Sequence, residues 1–244
     1  MDWTKAKTIL IIALLVTNIF LILIYTIMKT EEKPTEEAIH AETIALLEEK
    51  RIYVKGDLPT DHFKMAVLIV EYDNVDRETI DRMISEQGPF DVEYKSRETH
   101  IKIAENFLKG AGLWDTGIVF NKIEQSGAKT VVSYRNEFEG IPVEESYINC
   151  VIEDGLVSDV ERFWLKPVGF GKSKKATISA SAALIDLMRS KNAGEAISVE
   201  KMEIVYWLDT SAYGGETAIS DTALPAWKIT YNGGQVKHVR AYND

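Results

Sequence analysis

Cysteine is almost absent from this chain, which has one, Cys150, in 244 residues. A single cysteine excludes an intramolecular disulfide framework and a zinc site built on cysteine ligands. Cys150 lies in an apolar run that is typical of a strand, so we expect a small, buried, structural side chain. Histidine is scarce as well: the four histidines are scattered, and no His-Glu-x-x-His pattern occurs. The sequence therefore indicates no local metal site.

Positive charge is also in short supply. The chain has 28 lysines and arginines against 38 aspartates and glutamates, a net charge of −10. Residues 1–30 carry three lysines and one aspartate, a net charge of +2, which leaves −12 on residues 31–244. Nucleic-acid binding needs clustered lysine and arginine to neutralise phosphates, so this acidic body is a poor candidate for it. Anionic lipid headgroups would repel such a body.

Two segments match part of an enzyme motif, and neither matches the whole. Gly169–Ser173 resembles the end of a phosphate-binding loop, but Lys166 stands where that motif needs its first glycine. We therefore interpret residues 167–175 as a flexible polar loop. Ser198 and Lys201 have the spacing of Ser-x-x-Lys, yet the segment leads into a strand instead of opening a helix.

Paired carboxylates are present, but they are not arranged for acid–base chemistry. Glu144 and Glu145 are adjacent, and adjacent residues on a strand face opposite ways, so we interpret both as solvated charges. No Gly-x-Ser-x-Gly pattern is present either. We expect neither catalysis nor a cofactor.

One long hydrophobic run lies near the start of the sequence. No charged residue lies between Thr8 and Met28, and about 20 residues at roughly 1.5 Å each span the roughly 30 Å hydrocarbon core of a bilayer. A cleaved signal peptide has a shorter apolar region followed by small residues, which do not follow here. We predict a cytoplasmic tail at residues 1–8, a transmembrane helix at 9–28 and a linker at 29–37.

Polar and charged residues in and beside this run bear on its role. Thr17 and Asn18 lie near the middle of the span, where a side-chain amide needs a hydrogen-bond partner. Asn18 either marks a face that pairs with another helix or is tolerated facing lipid with a local bond. Lys5 and Lys7 give a slight positive-inside bias. We therefore expect a single-pass protein of the cell membrane, with a cytoplasmic N-terminus and an extracytoplasmic body.

The rest of the chain contains runs of helix and runs of strand. Periodicity of 3.6 residues predicts helices at 38–50, 76–85, 101–113 and 179–189. Apolar, β-branched runs between turn residues predict a strand at 64–72, a meander at 117–166, a strand at 202–208 and a hairpin at 227–242. Strands in runs imply an α+β class with antiparallel sheet. We place two small subdomains, each of antiparallel sheet plus helix, at 38–115 and 116–244.

Several segments resemble a known family. Residues 1–11, Met-Asp-Trp-Thr-Lys-Ala-Lys-Thr-Ile-Leu-Ile, look like the N-terminus of the YycI family, also called WalI. Residues 138–143, 178–184 and 224–229 are similar in arrangement to the YycH/YycI extracytoplasmic fold and, more loosely, to PepSY-like modules. Residues 40–115 match only in the order of their helices and strands.

This resemblance implies a non-enzymatic, membrane-anchored regulator of an essential cell-envelope sensor histidine kinase of the YycG/WalK type. The anchor would pair with the kinase's transmembrane helices and the body with a YycH-like protein, so the expected partners are these proteins and the lipid bilayer. We expect Trp3 of the opening motif, and Thr17 and Asn18 because of their polarity within the span, to be the partner-binding residues. A PepSY-like envelope peptidase inhibitor and a ligand-binding ectodomain stay open as alternatives.

Overall fold

The structure is a computed structural model, and it describes residues 3–30, 36–56, 58–59, 64–88, 96–192, 194–208 and 220–242. Residues 1–2 of the opening motif and residues 31–35 of the predicted linker lie outside the described residues. The chain divides into two compact units, Met1–Leu46 and Leu47–Asp244.

The first unit contains the predicted membrane helix. Helix α1 spans Trp3–Thr30, and helix α2 spans Glu36–Glu49, whose last residues belong to the second unit. Within α1, the 21 residues Ala6–Thr26 are long and apolar enough to cross a membrane. All of their side chains are exposed, and a helix that is apolar all round is stable in lipid rather than in water. One apolar helix of this length fits the predicted single-pass anchor.

The second unit is α+β, as predicted, and among its described residues most strands belong to one ten-stranded sheet. The helices are α3 (Arg77–Glu86), α4 (Arg97–Gly110) and α5 (Ala180–Ser190). The strands are β1 (Ile52–Val54), β2 (Lys64–Met65), β3 (Leu68–Tyr72), β4 (Ile118–Ser126), β5 (Lys129–Phe138), β6 (Ile141–Glu153), β7 (Leu156–Phe163), β8 (Leu165–Phe170), β9 (Lys175–Ala176), β10 (Ile197–Trp207), β11 (Ser220–Tyr231) and β12 (Gln235–Arg240). The strand order is β4-β5-β6-β10-β11-β3-β8, with β7 beside β6, β12 beside β11 and β1 beside β10, while β2 and β9 pair separately.

The predicted antiparallel meander is present as β4 to β7. Asp154 and Gly155 join β6 to β7 with φ angles of 48° and 79°, the two positive values that a tight two-residue hairpin turn requires. Helices α3 and α4 cover one face of the meander and bury a core that includes Ile80, Ile103, Phe107, Leu108, Val132, Tyr134, Ile148 and Cys150. Cys150 is fully buried there, as predicted.

Two further cores lie on the other part of the sheet. Helix α5 packs on β10, β11 and β12 through Leu184, Leu187, Ile197, Trp227, Ile229 and Val239. The predicted N-cap of this helix is confirmed, because Ser179 Oγ accepts a hydrogen bond from Ala182 N at 3.2 Å. The third core lies between β3, β8 and the start of β11 and includes Leu68, Val70, Leu165, Tyr206 and Ala223.

The prediction of a flexible polar loop at residues 167–175 was wrong. Its first part belongs to β8, which pairs with β3 in antiparallel register, Val70 opposite Pro167. A strand at the edge of a sheet tolerates proline, because one row of its backbone groups needs no partner. Other boundaries moved as well: α4 begins earlier, at the cap Ser96, and β10 begins at Ile197.

The predicted boundary between the subdomains 38–115 and 116–244 stays a prediction. Strand β1 pairs in parallel with β10, Ile52 opposite Ile197. Strand β3 pairs with β11, Leu68 opposite Ala223. Strands from both sides of the predicted boundary thus share one sheet.

Candidate functional site

Aromatic residues lie near both ends of the apolar stretch of α1. Trp3 is 73% exposed, and Lys7 Nζ lies 5.3 Å from the centre of its ring. Tyr25 is exposed near the other end. Tryptophan and tyrosine concentrate at the two interfaces of a bilayer, where one end of the ring is apolar and the other hydrated. The positions of Trp3 and Tyr25 fit this distribution.

The residues predicted to bind a partner are Trp3, Thr17 and Asn18, and the two polar ones differ in whether the helix supplies a hydrogen-bond partner. Thr17 Oγ1 donates a hydrogen bond to the Ala13 carbonyl at 2.9 Å, one turn back, so its hydroxyl is satisfied within the helix. Asn18 is exposed, and its carboxamide makes no hydrogen bond with any residue that the structure describes. Trp3 lies about 22 Å from Asn18 along the axis, at roughly 1.5 Å per residue, so the helix does not bring the two together.

On the second unit, strand β6 contains an irregular segment where two parts of the sheet meet. Asn136 of β5 lies opposite Val143, while its neighbour Arg135 lies opposite Tyr147, so residues 144–146 are inserted as a bulge. The same Val143 forms the register pair that joins β6 to β10 in parallel, opposite Tyr206. The bulge re-aims side chains at the junction of the meander with β10 and β11.

Glu144 of this bulge contacts Lys228 of β11 and His238 of β12. Its carboxylate accepts a hydrogen bond from Lys228 Nζ at 2.9 Å, and its other oxygen lies 3.3 Å from His238 Nε2. The His238 ring stacks on Trp207 with centroids 5.2 Å apart. Burial acts to raise the pKa of Glu144, but the bonds from His238 and Lys228 outweigh it and hold the pKa below its ordinary value.

This arrangement overturns the interpretation of Glu144 as a solvated charge. Its side chain is only 15% exposed and is neutralised by Lys228. Glu145, the other member of the pair, is exposed. A signal was present in the sequence, since a carboxylate that follows an apolar run inside a strand is a candidate for burial when paired. Lys228 and His238 could not be predicted as its partners from the sequence, because they lie 84 and 94 residues away along the chain.

The bulge also fixes the start of β8 through buried polar contacts. The Leu165 amide donates to Ser146 Oγ at 3.0 Å, and Asn136 Nδ2 donates to the Leu165 carbonyl at 2.7 Å. Gly117 lies against this asparagine so closely that a Cβ on it would be 2.3 Å from Asn136 Oδ1. These contacts satisfy backbone groups and therefore hold the junction together rather than provide reactive groups.

The remaining candidates for chemistry have structural roles. Lys201 of the Ser-x-x-Lys segment lies on β10 and is ion-paired with Glu203 at 2.8 Å. Burial raises the pKa of the Cys150 thiol to about 12, so the thiolate that a nucleophile needs is scarce. Among the residues described, no group of three or more histidine, cysteine, aspartate or glutamate side chains could hold a metal ion.

These features define the class of the protein: an α+β body joined to one apolar helix that fits a membrane anchor. Residues 36–242 match the family described as YycI protein, so the chain belongs to the YycI family. Membership supports a regulator of the WalK/YycG two-component system, in a family that is regulatory rather than catalytic.

The Bacillus megaterium YpeB C-terminal domain is similar at 14% identity and a TM-score of 0.35, over 64% of this chain and 65% of that chain. The chain thus covers just under two thirds of that domain's length. No curated protein matches the sequence.

Proposed function

We propose that this protein regulates a WalK/YycG-type sensor histidine kinase without catalysing a reaction, and that helix α1 is the part that contacts the kinase in the membrane. The observation that carries the proposal is the carboxamide of Asn18. It lies within the 21-residue apolar stretch and makes no hydrogen bond with any described residue. Membership of the YycI family supports the kinase as the partner.

The physical basis of the pairing is the cost of an amide in hydrocarbon. Lipid tails offer Asn18 no hydrogen-bond partner, whereas a polar group on a neighbouring helix does, and such bonds contribute about 0.6 to 2 kcal/mol in membranes. Thr17 needs no such partner, because its hydroxyl is bonded to Ala13. Trp3 has a different part in the proposal: it holds the helix at a depth where Asn18 meets its partner.

The orientation and the second partner belong to the same proposal. Lys5 and Lys7 favour a cytoplasmic N-terminus, which puts the acidic body on the extracytoplasmic side. There we propose that the body binds a YycH-like protein, supported by the resemblance of residues 138–143, 178–184 and 224–229 to the YycH/YycI fold. Reciprocal co-purification of the two full-length proteins from detergent-solubilised membranes tests this contact.

The test of the helix contact is a pair of adjacent substitutions in the full-length protein. Asn18→Leu removes the unsatisfied amide, and Thr17→Val is the matched control, since it removes a hydroxyl that the helix already satisfies. A photo-crosslinking residue at the neighbouring position Leu21 reports the contact, and transcription of the kinase's target genes reports its consequence.

We expect Asn18→Leu to reduce both the kinase crosslink and the regulatory effect about 3- to 30-fold, from the loss of about 0.6 to 2 kcal/mol. Thr17→Val should leave both near wild type. A crosslink to the kinase that is equally strong in wild type and Asn18→Leu would remove the asparagine from the mechanism. Crosslinking to an envelope peptidase in place of the kinase would favour the inhibitor alternative.

A further inference from the structure

The lysines that follow β8 lack carboxylate partners in a protein rich in carboxylates. Lys172, Lys174 and Lys175 are exposed and form no ion pair with any residue in the described ranges. Some lysines elsewhere on the sheet are paired: Lys122 and Lys129 lie 2.9 and 2.8 Å from glutamate oxygens. What distinguishes Lys172, Lys174 and Lys175 is that three lysines without an ion-pair partner among the described residues lie within four residues of one another. Like charges left close together without counter-charges repel one another, so an anion bound among these lysines would be stabilised.

A depression in the surface brings this segment together with the last strand. Its volume is about 340 Å³, and it is lined by Val67, Gly171, Lys172, Ser173, Lys175, Leu224, Pro225, Arg240 and Tyr242. The lining side chains contribute three cationic groups, the hydroxyl of Ser173 and no carboxylate, while the Tyr242 hydroxyl already donates to the Met65 carbonyl. Cationic groups that line a concave surface together with a hydroxyl donor are the chemistry that binds an oxyanion.

The backbone of this segment is held at both ends. The Gly171 amide donates to the Val67 carbonyl at 2.8 Å, and Lys175 pairs with Met65 between β9 and β2. A Cβ on Gly171 would lie 2.5 Å from Val67 Cγ2, so only glycine allows this close approach. The Lys175 ammonium lies 5.7 Å from the centre of the Tyr242 ring. The residues between the two attachments are thus positioned before any ligand arrives, which lowers the entropic cost of binding.

We propose that this depression binds a phosphate ester, with Lys172 and Lys175 as the principal contacts and Arg240 beside them. A tetrahedral phosphate has several acceptor oxygens, so it can bind more than one cationic donor at once. The segment is not a nucleotide-binding P-loop, because such a loop leads directly into a helix and α5 begins only at Ala180. The site is independent of the contact made by α1 and would add a ligand to the regulator's extracytoplasmic face.

Lys172, Lys174 and Lys175 form a positively charged cluster on a body whose net charge is negative. The acidic body as a whole repels anionic headgroups, but repulsion from charges farther than about 8 Å is largely screened at physiological salt. The phosphate ester has two possible sources: a soluble molecule or the headgroup of a phospholipid. Both present the same chemistry to Lys172 and Lys175.

The experiment uses the full-length chain in nanodiscs of neutral phosphatidylcholine, titrated by calorimetry. The probes are glycerol 3-phosphate and, below its micelle concentration, dihexanoyl phosphatidylglycerol. The test variant is Lys172→Gln/Lys175→Gln. The matched control is Lys55→Gln/Lys102→Gln, which removes the same charge from two exposed lysines that form no ion pair with the described residues.

We expect wild type and the control to bind alike and the test variant to bind at least about tenfold more weakly, since a hydrogen bond to a charged group contributes about 1.5 to 3 kcal/mol. Binding of glycerol 3-phosphate identifies a soluble ester as sufficient, and binding of the lipid probe alone identifies a headgroup with part of its glycerol backbone. The proposal is overturned if wild type binds neither probe, or if both double variants weaken binding equally. Neither result bears on the Asn18 contact, which is measured by crosslinking.

Discussion

Glu144 Oε1 and Lys228 Nζ lie 2.9 Å apart and connect β6 to β11, two strands that are not neighbours in the sheet. Both side chains are less than a quarter exposed. The backbone connection at this point is short, because a single register pair, Val143 with Tyr206, joins β6 to β10 within the described strands. The side-chain contact therefore contributes to holding the meander to the strands beyond it.

Replacing Glu144 should destabilise the body. Glu144→Ala leaves Lys228 and His238 partly buried without their acceptor, and we expect the free energy of unfolding to fall by about 2 kcal/mol. Urea titration of the full-length protein in detergent, followed by tryptophan fluorescence, measures the change. The matched control is Glu124→Ala, because the ion pair of Glu124 with Lys122 is more than half exposed and should cost less than about 1 kcal/mol. Equal effects of the two substitutions would contradict the assigned role.

The contribution of Glu144 should disappear in acid. The bonds that lower its pKa in the folded protein stabilise the charged form, so this stability is present above the pKa of the unfolded chain, about 4.3 for glutamate. It is lost as the pH falls through the still lower pKa of the folded state. We expect the difference in unfolding free energy between wild type and Glu144→Gln to be full at pH 7 and to shrink progressively below about pH 4. A difference that stays constant from pH 7 to pH 2.5 would refute the linkage.

Gly117 should not tolerate a larger side chain. In Gly117→Ala the new methyl group would lie 2.3 Å from Asn136 Oδ1 and 2.8 Å from the Glu137 carbonyl oxygen, and we expect a loss of about 1 to 3 kcal/mol from overpacking. Thermal unfolding by circular dichroism reports the loss. Gly110→Ala is the control, since no atom lies within 4 Å of the Cβ it would add, and its midpoint should stay within a few degrees of wild type.

Cys150 should be unreactive until the body unfolds. Its thiol is fully buried, with a pKa of about 12 because of that burial, and alkylation requires an accessible thiolate. Mass spectrometry after iodoacetamide treatment at pH 8 should show little labelling of the native protein and complete labelling in denaturing urea. The variant Glu144→Ala, if destabilised as expected, should label faster than wild type. Rapid labelling of the native wild type would contradict the burial.

Local patterns were sufficient for the elements whose stability is local. The Asp154-Gly155 turn and the Ser179 N-cap were both predicted, because each depends on the conformational preferences of a few adjacent residues. Strand β8 was missed because glycine, proline and lysine gave its sequence a loop-like composition. It is a strand because β3 supplies a neighbour for it, Leu68 opposite Phe170, and that contact is not written in the segment itself.

The sequence by itself determined the long apolar helix and the family. A helix satisfies its backbone hydrogen bonds within its own segment, so 21 apolar residues suffice to specify it. Only the tertiary structure decided that Glu144 meets Lys228 and His238, and that Lys172 and Lys175 line one depression with Arg240. These contacts join residues that are tens of positions apart, and which strands become neighbours depends on the packing of the whole body rather than on any one segment.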